Sequence, residues 1–339
     1  MTSPILRRPA ARHPSVTRHR QRGVALIIAL ILVALATILA TKLSFDGWIE
    51  QRRTVSVLAA EQAVHFAAGA EALAADVLSQ NVQGGGNQDT LAQPWAQGTQ
   101  PLPLTPPNDA EGEPIGTLQA ALEDMSGRFN LNNLGRVTAD GKQDPQPLAQ
   151  FRRLLVSVGL EDKWAGIARD WIDADDQPGS PDGAEDSVYT SQTPPYRTGN
   201  YPMMSATELM NMPGFGADRY RKIAPYVVAL PLATSSINVC TASALVLESF
   251  ADDLRGEYSG SPEVLTGARK EGCFPDKATF TKIVGAAEPN LARLTAEKSS
   301  YFRLTTRVTL GTTEFTLYSL LLRGNGGKVT PLLRTFGTI

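Results

Sequence analysis

The pattern of apolar positions opens on an uninterrupted block. From Val24 to Thr41 the chain holds no charge, no proline and no glycine. Eighteen helical residues span roughly 27 Å, close to the bilayer core of about 30 Å. Upstream, residues 1–23 carry Arg7, Arg8, Arg12, Arg18, Arg20 and Arg22 and no acidic residue. That excess places the N-terminus in the cytoplasm and everything after Lys42 on the far side of the membrane. Beyond Thr41 the text stays helical to about Gln80, alanine-rich through Ala59, Ala60, Ala63, Ala67 and Ala70, with Gly47 and Gly69 as weak points. The pattern therefore predicts one helix over 24–80, half in lipid and half on a soluble domain, its alanine-rich face turned to partner helices. A secretory signal peptide would cut near Ala34-Leu35-Ala36, but the apolar run continues past that point and no break follows.

After Gln80 the pattern lapses. Gly84-Gly85-Gly86, then Pro94, Pro101, Pro103, Pro106 and Pro107, rule out helix or central strand. Residues 115–131 read as one or two short strands, and from about Asn133 to Tyr226 the text turns helical with long acidic loops. The last forty residues alternate in strand fashion: Phe302, Leu304, Thr306 and Val308, then Phe315, Leu317, Ser319 and Leu321. Gly311 marks one turn, Gly324-Asn325-Gly326-Gly327 the next, and a final strand reaches about Phe336. Strands on both sides of a helical block predict an α+β fold, a long helix on an antiparallel sheet with an all-α insertion. The expected segments are a leader at 1–23, the helix at 24–80 (transmembrane at 24–41), a sheet domain at 81–132 and 231–339, and the insertion at 133–230.

Composition changes this picture little. A chain of 339 residues with net charge −2 is not a general polyanion binder. The three histidines, His13, His19 and His65, all precede the globular part, so a histidine-based hydrolase or zinc enzyme is not expected there. Leu209-Met210-Asn211-Met212-Pro213-Gly214-Phe215-Gly216 has the look of a helix-hairpin-helix, but it occurs once, beside an acidic loop, so a structural hairpin is expected and nucleic acid is not. The two cysteines, Cys240 and Cys273, face an oxidising compartment, where a disulfide is the default.

Candidate chemistry concentrates in residues 170–186, which hold Asp170, Asp173, Asp175, Asp176, Asp182, Glu185 and Asp186 and no basic residue. Such a run is either a solvated acidic loop or a cation site. Trp171 and Ile172 would anchor it, Pro178, Gly179, Pro181 and Gly183 would bend it, and oxygen-only ligands indicate calcium. It is not an EF-hand, because Pro178 stands where that loop needs glycine and Ala184 where it needs glutamate. Asp173, Asp175, Glu185 and Asp186 are the first-choice ligands, and Asp176, Asp182 and Asn200 the second.

Several motifs carry a resemblance. Arg22-Gly23-Val24-Ala25-Leu26 at the cytoplasmic edge of the helix resembles the junction cut by prepilin peptidase in type IV pilin-like proteins. Ile28 stands at the fifth position after that junction, where most such proteins carry glutamate. Asp124-Met125-Ser126-Gly127-Arg128-Phe129-Asn130-Leu131-Asn132, Asp170-Trp171-Ile172-Asp173, Gly183-Ala184-Glu185-Asp186 with Tyr189, Pro194-Pro195-Tyr196-Arg197 with Asn200, and Ile237-Asn238-Val239-Cys240-Thr241-Ala242 follow in order. Together they resemble the K-type minor pseudopilins of type II secretion, with cysteine in place of the second asparagine in the last motif. The resemblance implies cleavage between Gly23 and Val24, methylation of the mature chain, calcium at the acidic block and no enzymatic activity. It implies a single-pass inner-membrane subunit with a periplasmic domain, at the tip of the pseudopilus. Implied partners are I-, J- and H-type minor pseudopilins, the major pseudopilin, prepilin peptidase and the inner-membrane secretion platform. A minor pilin-like tip subunit of another type IV filament, a pilus or competence system, is the alternative.

Overall fold

The computed structural model describes residues 22–105, 112–231, 234–251, 262–285 and 288–337. Most of the expected leader thus lies outside the described residues. The chain divides into two units, residues 1–58 and 59–339. What is described of the first is helix, the opening part of α1 (Arg22–Gln83). Its apolar side chains from Val24 to Leu39 are all exposed, and its most apolar eighteen-residue window has a mean hydropathy of 2.9. Length and composition suit a membrane span, as the uncharged run predicts.

In the second unit the remainder of α1 packs on a sheet. Ala63, Ala67, Ala70, Ala74 and Leu78 are buried and recur at helical spacing along one stripe. Against them lie Leu118, Val308 and Leu317 at one end and Phe302, Leu304 and Leu321 at the other. This corrects the expectation that the alanine face meets partner helices. Methyl-sized side chains let the helix approach its own sheet, and the face is consumed there.

The sheet is built from β1 (Leu102–Leu104) and β2 (Gly116–Asp124) on one side of the helical text. β3 (Phe129–Asn130) follows, then α2 (Pro145–Ser157), α3 (Trp164–Asp170), α4 (Asp186–Tyr189), α5 (Gly216–Ile223), β4 (Val227–Val228) and β5 (Ile237–Asn238). Next come α6 (Ala244–Glu248), α7 (Pro262–Gly267), α8 (Lys277–Val284), α9 (Glu288–Leu294) and β6 (Thr295–Ala296). β7 (Tyr301–Leu310), β8 (Thr313–Arg323) and β9 (Val329–Phe336) complete the sheet, in the antiparallel order β1-β2-β7-β8-β9. The alternation is as read. Phe302, Leu304, Thr306, Val308, Leu317, Ser319 and Leu321 are buried, and Gly311 and Gly326 take the positive φ that their turns require. Pro103 is accommodated because β1 is an edge strand.

Two expectations about the insertion need correction. β3 does not extend the sheet. It pairs in parallel with β4, across the helical text, and β5 pairs in the same way with β6. Helix also does not stop near residue 230. Val246, Leu247, Phe280, Val284, Leu291 and Leu294, from α6, α8 and α9, share one core with Phe151, Leu154 and Leu155 of α2. The helical layer therefore runs from Phe129 to about Ala296, and the sheet resumes only at Tyr301. Short helices broken by glycine and proline gave too little periodicity to mark the second half.

Asparagines hold that layer together. Asn130 Oδ1 accepts from the backbone N–H of Asn132 (3.2 Å) and Leu230 (3.0 Å). Asn132 accepts from Met203 N at 2.7 Å and donates to the carbonyls of Met203 (2.9 Å) and Leu230 (2.8 Å). Asn133 does the same for Ser235, at 3.1 and 2.9 Å. All three side chains are buried, so each amide must find partners of both kinds. The Asn-Leu-Asn motif is thus a clamp on distant chain segments.

Candidate functional site

The acidic loop starts where α3 ends. Trp171 and Ile172 are buried, and Trp171 donates its indole N–H to Glu208 at 3.0 Å. Asp170 is fully buried, and its Oδ2 accepts from the backbone N–H of Gly179 (2.8 Å) and Ala184 (2.9 Å). The chain between closes on itself through Gly183 N–H to the Gly179 carbonyl at 2.6 Å. A Cβ at Gly179 would meet the Arg169 guanidinium, and one at Gly183 would meet the Asp170 carboxylate. The glycines are needed for close approach as well as for bending.

This winding brings oxygens of Asp173, Asp175 and Glu185 within 4.8 Å of one another. Glu185 is 3% exposed, and neither carboxylate oxygen has a hydrogen-bond partner. Asp173 Oδ2 accepts from Gln143 at 3.2 Å, while its Oδ1 is buried without a partner. Asn200, at φ 43°, donates to Asp176 Oδ1 at 3.0 Å, and its own Oδ1 is also buried and unpaired. Burial, then repulsion from Asp170, Asp173, Asp175 and Asp176, pushes Glu185 up to about 7. Burial, with Asp170 and Asp175, pushes Asp173 up to about 6. Buried anions without donors are costly, and a cation or protons must offset them.

Of the seven residues singled out, the structure gathers Asp173, Asp175 and Glu185, with Asp176 and Asn200 adjoining. Asp182 and Asp186 are turned elsewhere. Asp182 pairs with Arg152 at 3.6 Å. Asp186 opens α4, accepts from both N–H and O–H of Thr198 at 3.0 Å, and pairs with Arg197 at 3.5 Å. Alternate direction along the chain separates Glu185 from its neighbour, which is why a first-choice ligand becomes a brace. Asp170, present in the run but not chosen, organises the loop. The Gly-x-x-x-Gly spacing of 179 and 183 was its signal.

A second polar cluster was not anticipated. Asp124, at the end of β2, accepts from Ser126 N–H (2.8 Å), Thr241 and Ser299 hydroxyls (both 2.5 Å) and the Asn238 amide (3.3 Å). Asn238 also donates to the Asp89 carbonyl, and Arg323 bridges the Asp89 carboxylate and the Leu78 and Ser299 carbonyls. Burial raises Asp124 to about 6 despite these donors. A Cβ at Gly127 would lie 2.8 Å from Thr241 Oγ1, so the two motifs touch. Cys240, beside them, donates its backbone N–H to Asn238 Oδ1 at 2.9 Å and forms a disulfide with Cys273.

The profile of a family described as "Type II secretion system (T2SS), protein K" matches residues 127–232, from the Gly127 contact through the acidic loop. A type II secretion system protein K of Pseudomonas aeruginosa is 36% identical over 333 residues, 94% of each chain. That of Klebsiella pneumoniae is 33% identical, covering 95% of this chain and 96% of its own. The chain belongs to the type II secretion system protein K family. Among solved structures, one described as the GspK-GspI-GspJ complex from enterotoxigenic Escherichia coli is 26% identical with a TM-score of 0.71. The match covers 85% of this chain and 100% of that one. The family accounts for the order of the motifs, and the geometry says what each does: Asp124 and Asn238 tie sheet to helical layer, the asparagines clamp that layer, and the 170–186 block gathers three carboxylates.

Proposed function

We propose that the chain is a minor pseudopilin that caps the tip of the type II secretion pseudopilus and supports export across the outer membrane. The observation that carries this reading is the helical layer from Phe129 to about Ala296, set between β2 and β7 of a sheet that packs on α1. A subunit so enlarged is hard to stack within a helical filament and is accommodated at an end. Ile28 adds support. A carboxylate in hydrocarbon needs a partner, and a subunit with no earlier neighbour can dispense with it. In this reading α1 anchors the subunit in the inner membrane with its globular part periplasmic. Prepilin peptidase cuts between Gly23 and Val24, and the mature chain is methylated. Its partners are I- and J-type minor pseudopilins, consistent with the complex in which the E. coli relative was solved, together with H-type and major pseudopilins and the secretion platform. The role is structural rather than enzymatic.

Calcium belongs to the same proposal. The unpaired oxygens of Asp173, Glu185 and Asn200 and the oxygen-only donor set fit a hard cation. Asp173, Asp175 and Glu185 would hold it, with Asp176 and Asn200 alongside, and the ion would neutralise the loop and fix it against Trp171 and Tyr189.

Co-expression of the periplasmic part with I- and J-type partners, followed by native mass spectrometry, tests the assignment. One copy of each in a stable assembly is expected. A chain that stays monomeric beside both would contradict it.

A further inference from the structure

Trp95, Trp164 and Trp171 are buried at 4, 4 and 5% exposure, whereas Trp48 is 50% exposed. Trp48 sits on α1 just past the apolar run. Phe45 stacks beside it at 6.1 Å between ring centroids, and the Arg52 guanidinium lies 4.4 Å from its ring centroid. Phe45, Trp48 and Arg52 follow i, i+3, i+7 spacing and share one helix face. The neighbouring stripe differs: Arg53 pairs with Glu50 at 3.2 Å, and Asp46 stands four residues before Glu50 in the sequence. Arg52 makes no ion pair among the described residues.

Position along the helix gives this face a meaning. This step rests on the reading of Val24–Thr41 as the membrane span. A core of about 30 Å takes about twenty helical residues, so its edge falls near Leu43. The Trp48 backbone then stands roughly 7 Å beyond, at the outer part of the headgroup layer. Helical side chains lean toward the N-terminus, here back toward lipid. Arg52 shows that lean, since it covers a ring four residues earlier. With its guanidinium carbon over the ring and no ion pair among the described residues, Arg52 has N–H donors left for a phosphate.

We propose that Phe45, Trp48 and Arg52 form a lipid-headgroup contact, with the two rings at the carbonyl level and Arg52 on the phosphodiester of an anionic phospholipid. Aromatic rings favour this boundary, and a basic group near it favours anionic lipid. The contact would fix the depth and rotation of α1 while the subunit waits in the bilayer, by holding one face of the helix to the headgroups.

Full-length protein in vesicles of phosphatidylcholine and phosphatidylglycerol tests this, with Trp48→Phe subtracted to isolate the one exposed tryptophan. Bromine carried near the acyl carbonyl end should quench Trp48 more strongly than bromine near the methyl end. Brominated phosphatidylglycerol should quench in preference to brominated phosphatidylcholine by about fivefold, the factor expected of one basic residue at an anionic surface. Arg52→Ala should lose that preference and Arg52→Lys should retain it. Trp48 unquenched by any lipid, in protein that floats with vesicles and resists carbonate, would overturn the contact and leave the span standing. Protein stripped by carbonate would remove the span, and the contact with it.

Discussion

Glu185 offers the sharpest perturbation, because its carboxylate is buried, unpaired and surrounded by like charge. Without a cation it holds its proton up to about 7, against 4.5 for an unperturbed glutamate. The sign follows. Between those values the folded chain binds more protons than the unfolded one, so stability falls as pH rises. At about 1.4 kcal/mol per pH unit the loss for Glu185 is about 3 kcal/mol, complete above pH 7. Asp173 shares the same repulsion, so its shift is not added. For a unit of this size, 3 kcal/mol corresponds to about 5–10 °C in Tm. Under the proposed calcium site, the ion would bind the ionised loop and reverse the loss. In thermal melts of residues 59–339, the difference between calcium and chelator should be near zero at about pH 4.5 and full above pH 7, with magnesium much less effective. Glu185→Gln should raise the chelator Tm at neutral pH and remove most of the calcium response. Asp124 contributes the same downward slope, but in both conditions, so the difference isolates the loop. A Tm at neutral pH indifferent to chelator, with no fall from about pH 5 upward, would leave a solvated acidic loop and refute the cation site.

Other perturbations reach separate parts of the fold. Replacing Cys240 and Cys273 by serine opens a loop of 33 residues and should cost about 3–4 kcal/mol, read from urea unfolding; an unchanged midpoint would deny the cross-link any role. Gly127→Ala drives a methyl into Thr241 and the Ala242 backbone and should cost roughly 1–3 kcal/mol, whereas Gly141→Ala, with open space around it, is a control limited to its positive φ. The Arg334 guanidinium, with help from Ser319, holds Glu71 below the usual carboxylate range. That stability is present above 4.5 and lost as pH falls through the lower folded value, so the difference between wild type and Arg334→Ala should shrink on acidification; a pH-independent difference would deny the ion pair. Gly23→Trp should block cleavage before Val24 while leaving membrane insertion intact, and a mature N-terminus at or beyond Thr37 by mass spectrometry would contradict that site.

Legibility in the sequence followed the physical character of each signal. The long apolar helix and the last strands were readable because their patterns, continuous apolar and strict alternation, survive in the text around Val24–Thr41 and Phe302–Leu321. The helical layer after residue 230 was missed because α6 to α9 are short, and their apolar residues join one core with those of α2, far back in the sequence. Composition marked the acidic loop, yet it did not separate Glu185, turned inward, from Asp186, turned to Thr198. That choice depends on φ/ψ at one residue. The Asp124 cluster was half visible. Asp124, Asn238 and Thr241 stood in motifs, but Asp89, Ser299 and Arg323 carry no local signature and meet only through the fold. The alanine stripe was seen correctly as a packing face and assigned to the wrong partner, since small residues suit a sheet and a neighbouring helix equally.

A subunit confined to a filament end can be located there directly. Pseudopili assembled with a gold-labelled cysteine at Met204, an exposed side chain of the helical layer, should carry a single particle at one tip when viewed by electron microscopy. Particles spaced along the shaft, or filaments of normal number and length bearing none, would contradict the assignment of this chain to the tip.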